Sequence, residues 1–189
     1  MTKQELRKIF KEKRTAISPH ERLKLDDLML LQFQQFNFSS VQTLLTYWPM
    51  ANTAEPNTHL FSSYLRHMVY GLQIAYPVTD FTDNSMQPVV INEDTTYILN
   101  EYGIREPKAG TVIRPLDIDL VFVPLLVCDN EGYRVGYGKG FYDRFLANCR
   151  QDTVTIGFSY FNPIDHISDI EDFDIPLDYC ITPDNIYEF

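Results

Sequence analysis

The sequence has 189 residues, 44% hydrophobic and 22% charged, proportions of an ordinary globular domain that exclude a disordered or fibrous chain. A formal net charge of −10 excludes the broad cationic face that nucleic-acid binding needs. The longest apolar run, Leu120 to Cys128, is broken by Pro124 and falls short of the roughly 20 residues of a membrane helix, so neither a nucleic acid nor a membrane is an expected partner.

One domain over residues 1–189 is expected, acting as a monomer. Its opening, "MTKQELRKIFKEKR", is charged throughout and lacks the apolar stretch of a secretory signal, which predicts a cytoplasmic protein. Thr2 and Glu5 form a T-x-x-E capping box, and Leu6, Ile9, Phe10 and Ile17 recur at helical spacing, so the chain is predicted to open with a helix. Ser18, Pro19 and Glu21 repeat the start signal for a second helix ending near Phe36. Val41 to Trp48 reads as a strand and "PMANTAEPNT" as a loop. A helix from about Asn57 to Tyr70 follows, stopped by Gly71, and then "LQIAYP" as a short strand. Residues 88–99 predict two short strands or a hairpin, and "NEYGIREPKAGTVIRP", which has no period, a long loop.

The run "DLVFVPLLV" predicts a buried central strand and "DNEG" a turn. After the stretch "RVGYGKGFYDRFL" come a helix from about Phe141 to Cys149 and late strands in "TVTIGFSY" and "DYCIT". Strands alternating with helices predict an α/β fold: an open, largely parallel sheet flanked by helices, with a small antiparallel hairpin element. Ligands of such sheets bind beyond the carboxyl ends of the strands.

Gly136, Gly138 and Gly140 recur at every second residue, which lets the backbone turn sharply and present several N–H groups; Lys139 adds a positive charge at the start of a helix. That suits phosphate, and it equally suits a flexible surface connection, since the spacing matches neither a Walker loop nor a dinucleotide fingerprint. Asp143, in the first helical turn, either serves the helix dipole or holds Mg²⁺. Asp178, just before an apolar run, is a solvated acid or a second magnesium carboxylate. Eight of the 16 Lys and Arg lie within the first 24 residues, and Lys3, Arg7, Lys11 and Arg14 fall within about 80° around the first helix, a face for water or for polyphosphate.

Tyr47, Trp48 and Met50 beside Glu55 would line a pocket for a flat heteroaromatic ligand or belong to ordinary core. Cys128, Cys149 and Cys180 lack a C-x-x-C pair and read as reduced, mostly buried thiols; the four histidines show no metal-ligand spacing.

Together these pieces resemble the 5-formyltetrahydrofolate cyclo-ligase family, also called methenyltetrahydrofolate synthetase. The resemblance rests on the opening K-x-x-x-R helix (Lys3, Arg7) with "S-x-x-E-R" after it, a Met and a Glu after the first strand, "VPLLVCDNEGYRVGYGKGFYDR", and the closing "DIPLDYCIT". It implies an enzyme that uses Mg²⁺ and ATP, as co-substrate, to convert 5-formyltetrahydrofolate into 5,10-methenyltetrahydrofolate. It assigns ATP contacts to Lys3, Arg7, Arg14, Arg134, Gly136, Gly138, Lys139, Gly140 and Tyr142. It assigns folate contacts to Met50, Glu55, Tyr137, Gly138, Lys139, Gly140 and Phe141, charge stabilisation in catalysis to Lys139 and Arg134, and magnesium to Asp143 and Asp178. The family's usual Tyr-Tyr-Asp is Phe141, Tyr142 and Asp143 here. A small-molecule kinase or a sugar-phosphate isomerase would use a similar phosphate site but not the Met50 and Glu55 pocket, and a catalytically silent nucleotide or folate sensor on the same scaffold would be favoured if Asp143 or Asp178 were absent, but both are present.

Overall fold

The computed structural model describes the backbone of residues 1–189 and every side chain except that of Ala51. Helix α1 (Lys3–Ala16) starts at the capping box: Glu5 N–H donates to Thr2 Oγ1 at 3.3 Å, and Thr2 N–H to Glu5 Oε2 at 2.9 Å. Helix α2 (Pro19–Phe33) is capped by the Ser18 side chain. It stops three residues short of the predicted end, because the chain turns to bring Phe36 and Phe38 onto Phe33, with ring centroids 4.6 Å apart for Phe33 and Phe38. Helix α3 (Thr58–Met68) follows the strand β1 (Thr43–Leu45) and a short turn at Ala51–Thr53.

Five strands run parallel in the order β2 (Gln73–Asp80), β1, β7 (Leu120–Val123), β10 (Val154–Phe158) and β11 (Tyr179–Ile181). Antiparallel β3 (Ser85–Val90) and β6 (Thr111–Val112) extend one edge, and β12 (Ile186–Glu188) the other. Two small antiparallel pairs stand apart, β4 (Tyr97–Leu99) with β5 (Arg105–Pro107), and β8 (Val127–Cys128) with β9 (Arg134–Val135). The largely parallel sheet and the small antiparallel elements are as predicted; residues 88–99 hold two short strands, the end of β3 and β4, which pair with β2 and β5 rather than with each other. Strand β3 turns back on β2 through Asp83 and Asn84, where Asp83 accepts the Ser85 N–H and Asn84 takes a left-handed φ of 57°. The segment read as a structureless loop folds into β5 and β6, because the Glu106 carboxylate, buried, accepts the N–H and hydroxyl of Thr79 and pins β5 to β2.

Alternation along β7 divides the core. Leu120 and Phe122 face Phe33, Phe61 and Phe158 under α2 and α3, while Val121 and Val123 face Phe145 and Leu146 of α4 (Phe141–Leu146). Helix α4 spans 6 residues, shorter than the predicted run to Cys149. Leu6 and Phe10 of α1 close a third cluster with Leu126, Val127 and Val135, which seats α1 directly against the segment leading into the glycine loop.

Candidate functional site

A cavity of about 540 Å³ opens across the carboxyl ends of β1, β2 and β7. One end is formed by Lys3 and Arg7 of α1, the loop from Gly136 to Gly140, and the start of α4. The other is lined by Trp48, Met50, Glu55, Phe81, Tyr102 and Arg105. Its size fits drug-sized molecules held among aromatic walls and a few placed polar groups.

The glycine loop is shaped by its own residues and by α1. Gly138 and Gly140 take φ of 87° and 70°, conformations that cost a side chain but not glycine. Arg7 Nε donates to Gly136 O at 2.8 Å, and its guanidinium lies over Gly138. Lys139 lies at the exposed turn between the two left-handed glycines and has no ion-pair partner among the described residues; its carbonyl accepts from Arg144 Nη1 at 2.8 Å. Lys3 is already paired: its ammonium meets Asp174, and its backbone N–H donates to Asp169. Arg134, almost wholly buried, donates to Asp143 Oδ1 at 2.8 Å and to the Ile175 carbonyl. Burial pulls its guanidinium below its ordinary range, and Asp143 opposes that.

At the aromatic end Glu55 is 8% exposed. Its Oε2 accepts the Met50 N–H at 2.6 Å, and its Oε1 accepts the Tyr137 hydroxyl. Burial pushes the Glu55 carboxyl up, and the two donors and Arg14 hold it back. The Tyr137 phenol is pushed far up by burial and by Glu55, so it stays a proton donor. Trp48 is fixed edge-on between His59 and Tyr97, with the Arg105 guanidinium 5.0 Å from its ring centroid. Phe141 packs edge-on to Phe81 at 5.1 Å, an apolar contact in the place where the family's tyrosine carries a hydroxyl. The Tyr142 ring lines the cavity, its hydroxyl buried without a protein partner.

The structure thus brings together Lys3, Arg7, Met50, Glu55, Arg134, the loop from Gly136 to Phe141, Tyr142 and Asp143. Two expectations are corrected. Arg14 does not face the cavity; it is 1% exposed and spends its guanidinium on Thr53 O, Leu125 O and the Tyr137 hydroxyl. Asp178 does not join Asp143. It precedes β11 at the amino end of the parallel strands, where its Oδ2 accepts the Thr155 N–H at 2.7 Å and hydroxyl at 2.8 Å, and it borders a separate hollow with Gln151 and Glu188. Among the described residues, no three His, Cys, Asp or Glu side chains cluster as metal ligands. The sequence reading missed Phe81, Tyr102 and Arg105, which reach the cavity only because β2–β3 and β4–β5 pair as they do.

An α/β architecture built on one large, mostly parallel sheet, with a cavity at its carboxyl edge lined by cations and aromatic rings, defines the class. The chain matches the model of the 5-formyltetrahydrofolate cyclo-ligase family over residues 1–183, and it belongs to that family. It is 25% identical over 185 residues to the 5-formyltetrahydrofolate cyclo-ligase of Mycoplasma genitalium, covering 94% of this chain and 97% of that one. To the Escherichia coli K12 protein of the same name it is 34% identical over 95 residues, 49% of this chain and 52% of that one. Among solved structures, the Aquifex aeolicus 5,10-methenyltetrahydrofolate synthetase superposes with a TM-score of 0.81 at 28% identity, covering 100% of this chain and 93% of that one. The synthetase of Mycoplasma pneumoniae superposes with a TM-score of 0.75 at 25% identity, covering 97% and 99%.

Proposed function

We propose that the chain converts 5-formyltetrahydrofolate into 5,10-methenyltetrahydrofolate, with ATP split to ADP and phosphate. The single observation that carries this reading is the continuity of the cavity: the Glu55 end and the Lys139 end share one space, so two substrates placed there meet. A formamide carbon is a poor electrophile and its oxygen a poor leaving group. Attack of the formyl oxygen on the γ-phosphorus, with the bond to ADP breaking, turns that oxygen into phosphate ester. N10 then adds to the activated carbon, the C–O bond breaks, and the N10 proton leaves with the phosphate, giving the N5=CH–N10 amidinium.

Such a phosphoryl transfer asks for positioning and charge neutralisation rather than a covalent nucleophile. Arg7, Lys139 and the glycine loop line one cavity and are assigned to the polyphosphate, and Lys3 is assigned to join them once its Asp174 partner is exchanged for phosphate. Lys139 and Arg134 are assigned to the charge that develops on the transferred group. Glu55 accepts hydrogen bonds from the pterin's donor groups, with Met50, Trp48 and Phe141 against its ring. Arg105, outside any ion pair among the described residues, is assigned to the carboxylates of the substrate's glutamate tail. Asp143 keeps Oδ2 free beside the loop, which fits magnesium, an ion that takes one or two carboxylates and completes its shell with phosphate oxygens and water. When bound, magnesium neutralises the polyphosphate and its leaving group.

The test is to mix purified protein with 5-formyltetrahydrofolate and Mg-ATP and follow methenyl absorbance together with ADP. Equal amounts of the two products are expected; ADP without methenyl product would sink the assignment.

A further inference from the structure

We infer that Arg14 is a positioning residue for the folate end of the cavity: through the Tyr137 hydroxyl it fixes the Glu55 carboxylate, tying the helix that bears the phosphate cations to the group that holds the pterin. The inference rests on the proposed function for what Glu55 binds.

A buried guanidinium needs its donors satisfied, and here each nitrogen has a partner on a different segment. Nε reaches Thr53 O at 2.8 Å, Nη1 reaches Leu125 O at 3.0 Å, and Nη2 reaches Tyr137 Oη at 2.7 Å. Two backbone carbonyls would suffice for a brace between α1, the turn after β1 and the segment after β7. The third acceptor is different, because a phenol has one proton of its own to place. Guanidinium donates only, so the Tyr137 oxygen must accept from Arg14, and its proton goes to one of two other acceptors: Thr53 Oγ1 lies at 3.4 Å and Glu55 Oε1 much closer, so Glu55 takes it. While Glu55 is ionised it can only accept, so the relay then runs from Arg14 through Tyr137 to Glu55. Glu55 receives donors on both oxygens, from Tyr137 and from the Met50 N–H at 2.6 Å, and is held as an acceptor with its orientation fixed at both ends.

The groups facing Glu55 are Tyr137 from the glycine loop, Arg14 from α1, and the buried phenols of Tyr47 and Tyr142. Burial drives both of those phenols upward and Glu55 adds to it, so they contribute no compensating charge. Arg14 supplies the one cation in this set, and its loss moves the Glu55 carboxyl further up. Because α1 also carries Lys3 and Arg7, one helix sets both ends of the cavity.

The test measures binding of 5-formyltetrahydrofolate and of Mg-ATP separately, across pH, for wild type, Arg14→Gln, Tyr137→Phe and the double variant. Tyr137→Phe removes only the relay hydroxyl and leaves both carbonyl bonds of Arg14, so it answers even if Arg14→Gln fails to fold. Folate affinity is expected to fall about tenfold in each single variant while ATP affinity changes less than about twofold. The acidic fall-off of folate binding is expected to move to higher pH, and the double variant to be no worse than the weaker single one. Unchanged folate binding and pH dependence in Tyr137→Phe, or equal weakening of both ligands, would overturn the inference and leave the function standing. Wild-type protein that binds no 5-formyltetrahydrofolate would overturn both.

Discussion

Arg7 lies against Gly138 so closely that a Cβ at position 138 would sit 3.2 Å from the guanidinium carbon. The same glycine has a φ of 87°, so an alanine there meets two penalties at once. The left-handed backbone costs about 1–2 kcal/mol, and the methyl makes the Arg7 guanidinium, which bonds Gly136 O at 2.8 Å, give by a few tenths of an ångström. Gly138→Ala is therefore expected to lower kcat/KM for ATP about tenfold or more, with a small fall in melting temperature and little change in folate binding. Steady-state kinetics with each substrate varied in turn, beside a thermal melt, checks this. An ATP term at the wild-type value would remove Arg7 from the phosphate site.

How far the sequence carries is visible in where these residues come from. A capping box at Thr2, the Ser18-Pro19 start, helix stops and the apolar run of β7 are local signals, and they place α1, α2, α3 and the central strand to within a few residues. The glycine loop with Lys139, Arg134 and Asp143 was legible because its members are adjacent in the chain. Residues joined only by tertiary pairing were not. Arg14 looked like one more cation on a helical stripe, and nothing in its spacing tells that its turn of the helix faces Leu125 and Tyr137, 111 and 123 positions away. Asp178 looked like a magnesium ligand through a motif, yet the parallel register of β10 and β11 places it opposite Thr155 at the far edge of the sheet. Phe81, Tyr102 and Arg105 lie in segments whose turns depend on Asx and left-handed residues, which break periodicity rather than announce it.

The two carboxylates once paired by motif separate experimentally. Asp143→Asn removes charge beside the glycine loop and is expected to raise the magnesium concentration needed for half-maximal turnover and to lower kcat about tenfold or more. Asp178→Asn disturbs only the bonds to Thr155, so it is expected to cost up to about 1 kcal/mol of stability and leave the magnesium requirement alone. Magnesium titrations of both variants decide the matter; equal shifts in the two would restore Asp178 to the metal site.

Arg105 is held over Trp48 at 5.0 Å and is supported by Glu106, whose buried carboxylate pins β5 to Thr79. A cation so placed at the aromatic end favours a substrate carboxylate. Arg105→Ala is expected to raise KM for 5-formyltetrahydrofolate about tenfold with kcat changed less than about twofold, and the penalty should vanish for a pteroyl analogue that lacks glutamate. A kcat loss as large as the KM change would instead place Arg105 at the reacting groups.

Asp26 gives a stability effect whose sign depends on pH. On α2 its Oδ1 accepts the Tyr160 hydroxyl at 2.9 Å and the Asn57 N–H at 3.3 Å, and Asn57, the cap of α3, comes two residues after Glu55. Burial raises its carboxyl from the usual range to about 6, more than these donors lower it. Between the unfolded value near 4 and the folded value the native state binds more protons than the unfolded one, so stability falls as pH rises through that window, and above it the whole cost of the buried charge is present. Asp26→Asn keeps an acceptor for both donors and removes the charge. It should stabilise the protein at pH 8 by up to about 1 kcal/mol, partial exposure to water limiting the gain, and give none at pH 4. Thermal melts of the two proteins from pH 4 to pH 8 test this directly. A gap that stays constant with pH would mean that Asp26 carries its charge in both states at equal cost, and that the segment bearing Glu55 is anchored by the hydrogen bonds alone.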